Sequence, residues 1–181
     1  MNNFSKTRLD RSHAKTLWMT GLSGAGKSTL AGKLEEIMLG RGCDCMVLDG
    51  DKVRTGLCND LGFSKEDRIE NIRRIAEVAK LFNQAGLTVI AALIAPFEEQ
   101  RVMAMEIVGA DNFLLAHIST PLEECERRDP KGLYAKARSG DLPYFTGITS
   151  PYEAPTFAHV TLDTSVLSVD VCLSQLVAVL A

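Results

Sequence analysis

The sequence predicts an α/β fold in which a parallel five-stranded sheet lies between two layers of helices, a three-layer α/β/α sandwich. Short apolar runs alternate along the chain with longer segments of helical periodicity, which is the pattern of βαβ units. The chain has 181 residues, of which 46% are hydrophobic and 24% are charged. This length and balance fit one folded domain with a sizeable core and are unlike those of a disordered protein. We therefore predict that residues 15–181 form one domain and that residues 1–14 form an N-terminal arm.

The predicted elements follow one another in strand–helix order. The strands are the apolar runs Thr16–Thr20, Cys45–Leu48, Thr88–Leu93, Phe113–Ile118 and His159–Leu162. The helices are Lys27–Leu39, Lys65–Ala85, Glu98–Val108, Pro121–Arg128 and Val169–Leu180. The longest helix follows Ser64, a favoured N-cap residue, and ends at Gly86, a favoured C-terminal stop. Proline and glycine make Ser139–Thr156 a predicted loop, long enough to act with the residues before it as a lid over about 129–156.

Charge and composition exclude several classes of protein. The 20 basic and 23 acidic residues give a formal net charge of −3, which argues against binding to nucleic acid or to an anionic membrane surface. The longest apolar stretch, Val89–Phe97, is too short to cross a bilayer. Five cysteines without a secretory signal favour reduced thiols and a cytoplasmic protein. Of the 20 basic residues, 12 nevertheless lie in two segments, Lys52–Lys80 and Arg127–Arg138, a local concentration of positive charge that suits two small polyanions meeting in one cleft.

A phosphate-binding motif follows the first predicted strand. Residues Gly21–Ser28 match G-x-x-x-x-G-K-[ST] between an apolar run and a helix, which predicts a P-loop and hence a P-loop NTPase fold. In such a loop the backbone N–H groups and the lysine hold phosphates, and the hydroxyl after the lysine binds Mg²⁺. ATP binding is therefore assigned to Gly21, Leu22, Ser23, Gly24, Ala25, Gly26, Lys27, Ser28 and Thr29. Because the chain lacks the N-K-x-D tetrad of GTPases and is short for a motor ATPase, a small-molecule kinase fits best.

Two carboxylates follow the second predicted strand, where the carboxyl ends of parallel strands form a ligand crevice. Asp49 and Asp51 are therefore expected to face the P-loop. An acceptor hydroxyl needs a carboxylate to take or orient its proton, and Mg²⁺ prefers oxygen ligands, so these two residues join Lys27 as candidate catalytic groups and Asp49 joins Ser28 as a candidate metal ligand. The alternative is a turn in which the aspartates cap the next helix. Arg54, on the same side of a helical turn as Asp51, could hold an anionic acceptor.

Further motifs follow in order along the chain: Asp49-Gly-Asp-Lys-Val-Arg54, Asp60-Leu-Gly-Phe-Ser64, Asp67-Arg68, Glu70-Asn-Ile-Arg-Arg74, Asp129-Pro-Lys-Gly-Leu-Tyr134, Phe145-Thr-Gly-Ile148 and Pro151-Tyr-Glu-Ala-Pro155. Together with the P-loop they closely resemble the adenylylsulfate (APS) kinase family over roughly Lys15–Leu162. The resemblance implies transfer of the ATP γ-phosphoryl group to the 3′-hydroxyl of APS, giving 3′-phosphoadenosine 5′-phosphosulfate (PAPS) and ADP in sulfate activation. It also implies a homodimer that uses ATP with Mg²⁺, and ATP sulfurylase is a candidate partner.

The functional positions of the family match residues of this chain. Asp51 matches the carboxylate at the acceptor hydroxyl, with Asp49 beside it, and Phe63 matches the aromatic residue that stacks on the substrate adenine. The positions that the resemblance assigns to APS are Asp51, Arg54, Phe63, Arg68, Asn71, Ile94, Ala95, Lys131, Phe145 and Gly147. This set suits the ligand, because arginines make paired contacts with phosphate and sulfate oxygens and an aromatic ring stacks on a base. Arg128 is a candidate lid cation for the ATP phosphates.

Two places depart from the family pattern: Ala95, and the lid stretch Gly140-Asp-Leu-Pro-Tyr-Phe145, which stands where a basic or glycine-containing stretch is more usual. The third strand of the family usually ends in Ile-Ser-Pro, with a serine that has been described as a phosphoserine intermediate, whereas this chain has Ile94-Ala95-Pro96. Ala95 has no hydroxyl, so either transfer is direct and in line or the protein is altered or inactive. Three hypotheses follow: an APS kinase, a related kinase with another nucleotide-like anion as acceptor, and a regulatory subunit that binds nucleotides without turnover. The other chemical positions are present, which favours the first hypothesis with direct transfer.

Overall fold

A single parallel sheet organises the part of the chain that the computed structural model describes, residues 14–181. The predicted N-terminal arm lies outside these residues except for Ala14. The strands are β1 (Thr16–Thr20), β2 (Cys45–Asp49), β3 (Thr88–Ala92), β4 (Phe113–Ile118) and β5 (Val160–Leu162). Their order is β2-β3-β1-β4-β5, and every neighbouring pair is parallel. The predicted fold class, with its five parallel strands, is confirmed.

Helices cover both faces of this sheet. Helices α1 (Lys27–Gly40) and α7 (Val169–Leu180) pack on one face, and α3 (Lys65–Ala85) and α4 (Glu98–Val108) pack on the other. Side chains of β1 alternate between two apolar clusters, with Leu17 and Met19 in one and Trp18 in the other. A strand covered on both faces is apolar throughout, which explains why this run shows no polar alternation.

Three short helices complete the set: α2 (Gly50–Arg54), α5 (Leu122–Arg128) and α6 (Leu133–Arg138). No helix was predicted from the sequence at Leu133–Arg138, because six residues are too few to show a helical period. Ser64 caps α3 by accepting from the N–H of Asp67, and Gly86 ends it in a left-handed conformation, as predicted. The loop prediction for Ser139–Thr156 also holds, since this stretch contains only an isolated bridge between Thr146 and Ser150.

Within residues 14–181, none of the helices combines the length and the apolar character needed to span a bilayer.

Candidate active site

The phosphate loop joins β1 to α1 at the carboxyl edge of the sheet. Gly21 has φ +152°, and a Cβ atom there would lie 2.4 Å from the carbonyl oxygen of Ile118, so no larger residue fits. The Lys27 side chain folds across the loop and donates to the carbonyl oxygens of Gly21 at 2.8 Å and Leu22 at 2.7 Å. Burial lowers the pKa of Lys27 from its ordinary 10.5 to about 8. The loop therefore already encloses a cation at the position where the motif requires one.

Asp49, at the end of β2, faces this loop. Its Oδ2 accepts from the Ser28 hydroxyl at 2.6 Å, and its Oδ1 accepts from the backbone N–H of Asp51 at 2.9 Å. The second bond caps α2, so the capping alternative from the sequence holds together with the prediction that Asp49 faces the P-loop. The hydroxyl and carboxylate oxygens form a pair that suits a hard cation.

Asp51 differs from Asp49 in its surroundings. It lies in the first turn of α2, its side chain is 69% exposed, and its carboxylate forms an ion pair with Lys131 from the predicted lid. This ion pair links the turn after β2 to the segment that crosses above it. The two aspartates therefore differ in position: Asp49 is fixed in the wall of the cleft, and Asp51 lies at its open side.

Phe63 lies beside two arginines in the same cavity as the P-loop. The residue is 52% exposed, so it is not part of the core. The Cζ atom of Arg54 lies 4.4 Å from the ring centroid and that of Arg68 lies 5.6 Å from it. Arg68 also donates from Nη2 to the carbonyl oxygen of Tyr144 in the predicted lid at 2.7 Å. Burial lowers the pKa of both guanidinium groups, so two partly desolvated cations lie beside an exposed aromatic residue.

Arg128 lies at the end of α5, against the P-loop. Its Nε donates to Glu124 at 2.8 Å, and its two terminal nitrogens donate to the hydroxyl and carbonyl oxygens of Thr164, both at 2.8 Å. A contact of 3.4 Å to the carbonyl oxygen of Gly24 brings it to the loop itself. Arg128 thus lies against the P-loop but at the end of α5, just before the lid segment, and most of its donors are bound to protein. Its neighbour Arg127 pairs with Glu124 at the surface.

One cavity of about 780 Å³ joins these groups. The predicted site residues that line it are Ser23, Gly24, Gly26, Lys27, Ser28, Thr29, Asp49, Asp51, Arg54, Phe63, Arg68, Asn71, Ile94, Ala95, Arg128, Lys131 and Phe145. Gly21, Leu22, Ala25 and Gly147 do not line it. Leu22 and Ala25 are buried in the apolar cluster beneath the loop. A Cβ atom on Gly147 would lie 3.1 Å from the side chains of Leu22 and Leu122, so this glycine permits close packing.

Comparison with known proteins gives the family. Residues 13–163 match the family described as adenylylsulphate kinase. The chain belongs to the adenylylsulfate kinase family. An adenylyl-sulfate kinase from Bacteroides fragilis is 53% identical over 174 residues, which cover 96% of this chain and 86% of that protein.

Solved structures agree with this family. An APS kinase from Mycobacterium tuberculosis, in complex with AMPPNP and APS, has a TM-score of 0.89 and 45% identity, covering 93% of this chain and 98% of that chain. A hexameric APS kinase from Thiobacillus denitrificans has a TM-score of 0.70 and 31% identity, covering 94% of this chain and 29% of that one. The likeness therefore extends over nearly the whole described fold.

Among the cavity residues that were not predicted from the sequence, Gln100 and Thr146 carry buried polar groups. Within residues 14–181, the Gln100 amide, 1% exposed, and the buried Thr146 hydroxyl have no hydrogen-bond partner, and neither does Oδ1 of Asn71. Such atoms are available to a bound molecule, because an unpaired buried polar group is costly. Thr146 adjoins Phe145 in a motif of the APS kinase family, which could have signalled it. A glutamine inside a helical pattern carries no such signal.

Ala95 occupies the position where the family usually has serine. It is 2% exposed, lines the cavity and has φ +41°, a left-handed conformation that is rare for alanine. Its only side-chain contribution to the cavity is a methyl group. In this adenylylsulfate kinase the loop after β3 therefore presents backbone groups and apolar atoms.

Proposed function

We propose that this cavity binds ATP and APS together and transfers the γ-phosphoryl group directly to the 3′-hydroxyl, giving PAPS and ADP. The observation that carries the proposal is one cavity lined both by a P-loop lysine with a serine–aspartate pair and by an aromatic ring with two arginines beside it. A relative that is 45% identical is solved with AMPPNP and APS, which supports the same pair of ligands here.

At the ATP end, backbone N–H groups from Gly24 to Thr29 are proposed to hold the phosphates, with Lys27 on the β- and γ-oxygens. To do so, the Lys27 ammonium exchanges its carbonyl partners in the loop for phosphate oxygens. The release of two neutral acceptors in favour of an anion is favourable in a buried site. Arg128, held by Thr164 and Glu124, adds positive charge at the rim of the loop.

Magnesium fits the donor set at this end. Mg²⁺ prefers oxygen ligands, and the Ser28 hydroxyl and the Asp49 carboxylate are adjacent oxygen donors beside the P-loop. These two residues would hold the ion, which when bound neutralises charge on the transferring phosphoryl oxygens. Asp49 needs to rotate little for this, because its other oxygen is fixed to the N–H of Asp51.

At the acceptor end, Asp51 is proposed to orient the 3′-hydroxyl and to take its proton as the oxygen attacks phosphorus and the bond to the ADP oxygen breaks. Arg54 and Arg68 are placed to bind the phosphosulfate, and Phe63 and Phe145 to enclose the adenine. The lid segment, residues 129–156, then excludes water from the transfer. Its contacts support this proposal, since Lys131 pairs with Asp51 and Tyr144 accepts from Arg68.

The surroundings of the enzyme are inferred from the resemblance. We propose a homodimer in the cytoplasm, with ATP sulfurylase, whose product is APS, as a partner. The relative from Thiobacillus denitrificans is described as hexameric, so the assembly needs its own measurement. Sedimentation equilibrium of the full chain, with and without an ATP sulfurylase, tests the homodimer and the binding of this partner.

An acceptor panel tests the proposed function. The pure protein is assayed with ATP and Mg²⁺ against APS and against AMP, adenosine and other nucleoside 5′-phosphates at equal concentration. The proposal expects kcat/KM for APS to exceed that for every other acceptor. A higher kcat/KM for another acceptor would establish the related-kinase hypothesis, and binding of ATP and APS without release of ADP would establish the regulatory-subunit hypothesis.

A further inference from the structure

The loop that follows β3, residues Leu93–Phe97 (the acceptor loop below), carries a conformation that needs support. Ile94 and Ala95 line the cavity, and Ala95 is left-handed with φ +41°. The left-handed backbone conformation is unfavourable for an L-residue with a Cβ atom, whereas glycine adopts it readily. Contacts from outside the loop must therefore hold it in place.

Two of these contacts come from β1 and α4. The carbonyl oxygen of Ile94 accepts from the hydroxyl of Thr20, at the end of β1, at 2.6 Å. The next carbonyl, that of Ala95, accepts from Nη1 of Arg101 at 2.8 Å. Arg101 is only 2% exposed and pairs with Glu98 one turn earlier in α4. The left-handed residue is thus fixed to the helix that follows it.

The third contact comes from the lid segment. The backbone N–H of Glu153 donates to the carbonyl oxygen of Pro96 at 2.8 Å, so three successive carbonyls of the acceptor loop are bound by three different parts of the chain. The carboxylate of the same residue accepts from the backbone N–H of Glu98 at 2.8 Å. Phe97, at the N-cap position of α4, has no side-chain acceptor. Glu153 supplies the cap that α4 lacks, from 55 residues away in the sequence.

Neighbouring contacts strengthen this attachment. The hydroxyl of Thr156 donates to Oε1 of Glu98, the carboxylate that pairs with Arg101, at 3.2 Å. The hydroxyl of Tyr152 lies 3.1 Å from that of Thr20. The downstream end of the lid segment therefore binds the acceptor loop directly at Pro96. It also contacts Thr20, which bonds to Ile94, and Glu98, which pairs with Arg101.

We propose that Glu153 is a positioning residue for the acceptor: its backbone N–H and its carboxylate fix the acceptor loop and the start of α4, so that the downstream end of the lid is a structural part of the acceptor site. The inference rests on the proposed function, since it takes APS as the acceptor. It assigns no contact with the reacting atoms to Glu153. It places the effect on acceptor binding, because the P-loop keeps its internal bonds from Lys27 to Gly21 and Leu22, and its bond to the acceptor loop, from the N–H of Gly21 to the carbonyl oxygen of Ile94, is long at 3.4 Å.

Calorimetry with the full chain tests the proposal. The variants are Glu153→Ala, which removes the cap, and Glu153→Gln, which keeps an amide oxygen that can accept. The control is Glu106→Ala, at the distal, exposed end of the same helix. APS is titrated into protein saturated with AMPPNP, and AMPPNP is titrated into protein alone, so neither readout needs turnover.

The expected result is a selective loss. Glu153→Ala weakens APS binding about 10-fold, the loss of one capping interaction, while AMPPNP binding and both affinities of the control stay within about two-fold of the wild type. Glu153→Gln recovers most of the loss. Because Glu153 is exposed, Tm falls by only about 2–4 °C.

Three results overturn the proposal: unchanged APS affinity in Glu153→Ala, an equal loss for AMPPNP, which indicates general loosening, or a Glu153→Gln variant as impaired as the alanine. Wild-type protein that does not bind APS would instead overturn the proposed function first, and this inference with it.

Discussion

At the residue scale, two carboxylates two positions apart have different physical environments. Asp49 is buried and makes two hydrogen bonds, one to Ser28 and one to the backbone of Asp51. Asp51 is exposed and paired with Lys131, a lysine in the loop between α5 and α6. A group that must meet an incoming hydroxyl benefits from such accessibility, whereas a metal ligand benefits from a fixed position. This difference supports the assignment of acceptor chemistry to Asp51.

Asp51→Asn tests that assignment. The amide cannot take the hydroxyl proton, so kcat should fall by about 100-fold or more, while the Kd of AMPPNP changes less than about two-fold. Steady-state rates and calorimetry measure the two quantities, with Asp170→Asn on the exposed start of α7 as the control. Near-normal turnover of the variant would refute the role of Asp51.

Lys27 makes stability depend on pH. Its pKa is lowered to about 8 in the fold by burial, against 10.5 for the ordinary side chain. The unfolded chain therefore binds more protons between these values, and stability contributed by this residue rises as pH rises through that window. Between pH 7.5 and 10 the wild type should gain roughly 2 kcal/mol relative to Lys27→Met. Urea unfolding of both proteins measures this, and a constant difference across the window would contradict it.

At the element scale, the short helices shape the site and were the hardest parts to predict. Long elements such as α3 are specified by their own period and caps, and the sequence located both ends correctly. The helix α6 has six residues and no side-chain cap at its N-cap residue, Gly132; the Asp129 carboxylate, shortly before the helix, accepts instead from the backbone N–H groups of Tyr134 and Ala135, both at 3.1 Å. The cap of α4 comes from much farther along the chain, from Glu153, 55 residues after Glu98. The sequence predicted the start of α4 at Glu98 correctly but could not show the contact that caps it, and it missed α6, whose six residues are too few to show a helical period.

Replacement of Asp129 tests the cap of α6. Asp129→Ala removes the acceptor and places alanine at φ +25°, so the free energy of unfolding should fall by about 1–2 kcal/mol. Asp129→Asn keeps an acceptor and tolerates a positive φ, so it should stay within about 0.5 kcal/mol of the wild type. Urea unfolding compares the three proteins. Equal stability of the alanine and asparagine variants would show that the cap contributes nothing.

At the scale of the whole molecule, the structure corrects what the distribution of basic residues in the sequence suggested. The sequence concentrates 12 of the 20 basic residues in two segments, which suggested that they gather around two polyanions. Several of them are instead neutralised at the surface: Arg73 and Arg74 pair with Glu70, and Arg138 pairs with Glu126. The positive charge of the cavity comes from a smaller set of residues, namely Lys27, Arg54, Arg68, Arg128 and Lys131.

The motifs predicted which residues line the cavity better than the distribution of basic residues did. Residues of a motif are specified by chemistry, so Lys27, Phe63 and most of their partners could be placed from the sequence. Gln100 could not, because its position depends on how α4 packs against the cleft. The left-handed conformation of Ala95 could not be foreseen either, since it results from contacts made by Arg101 and Glu153.

Direct transfer is the central claim, and the stereochemistry at phosphorus tests it most directly. The protein is incubated with APS, Mg²⁺ and ATP whose γ-phosphoryl group is chiral through three oxygen isotopes, and the configuration of the 3′-phosphate in PAPS is determined. A single in-line displacement predicts inversion, as expected for a site in which Ala95 offers no hydroxyl. Retention of configuration, which requires a phosphorylated enzyme intermediate, or the absence of a 3′-phosphorylated product would contradict the account.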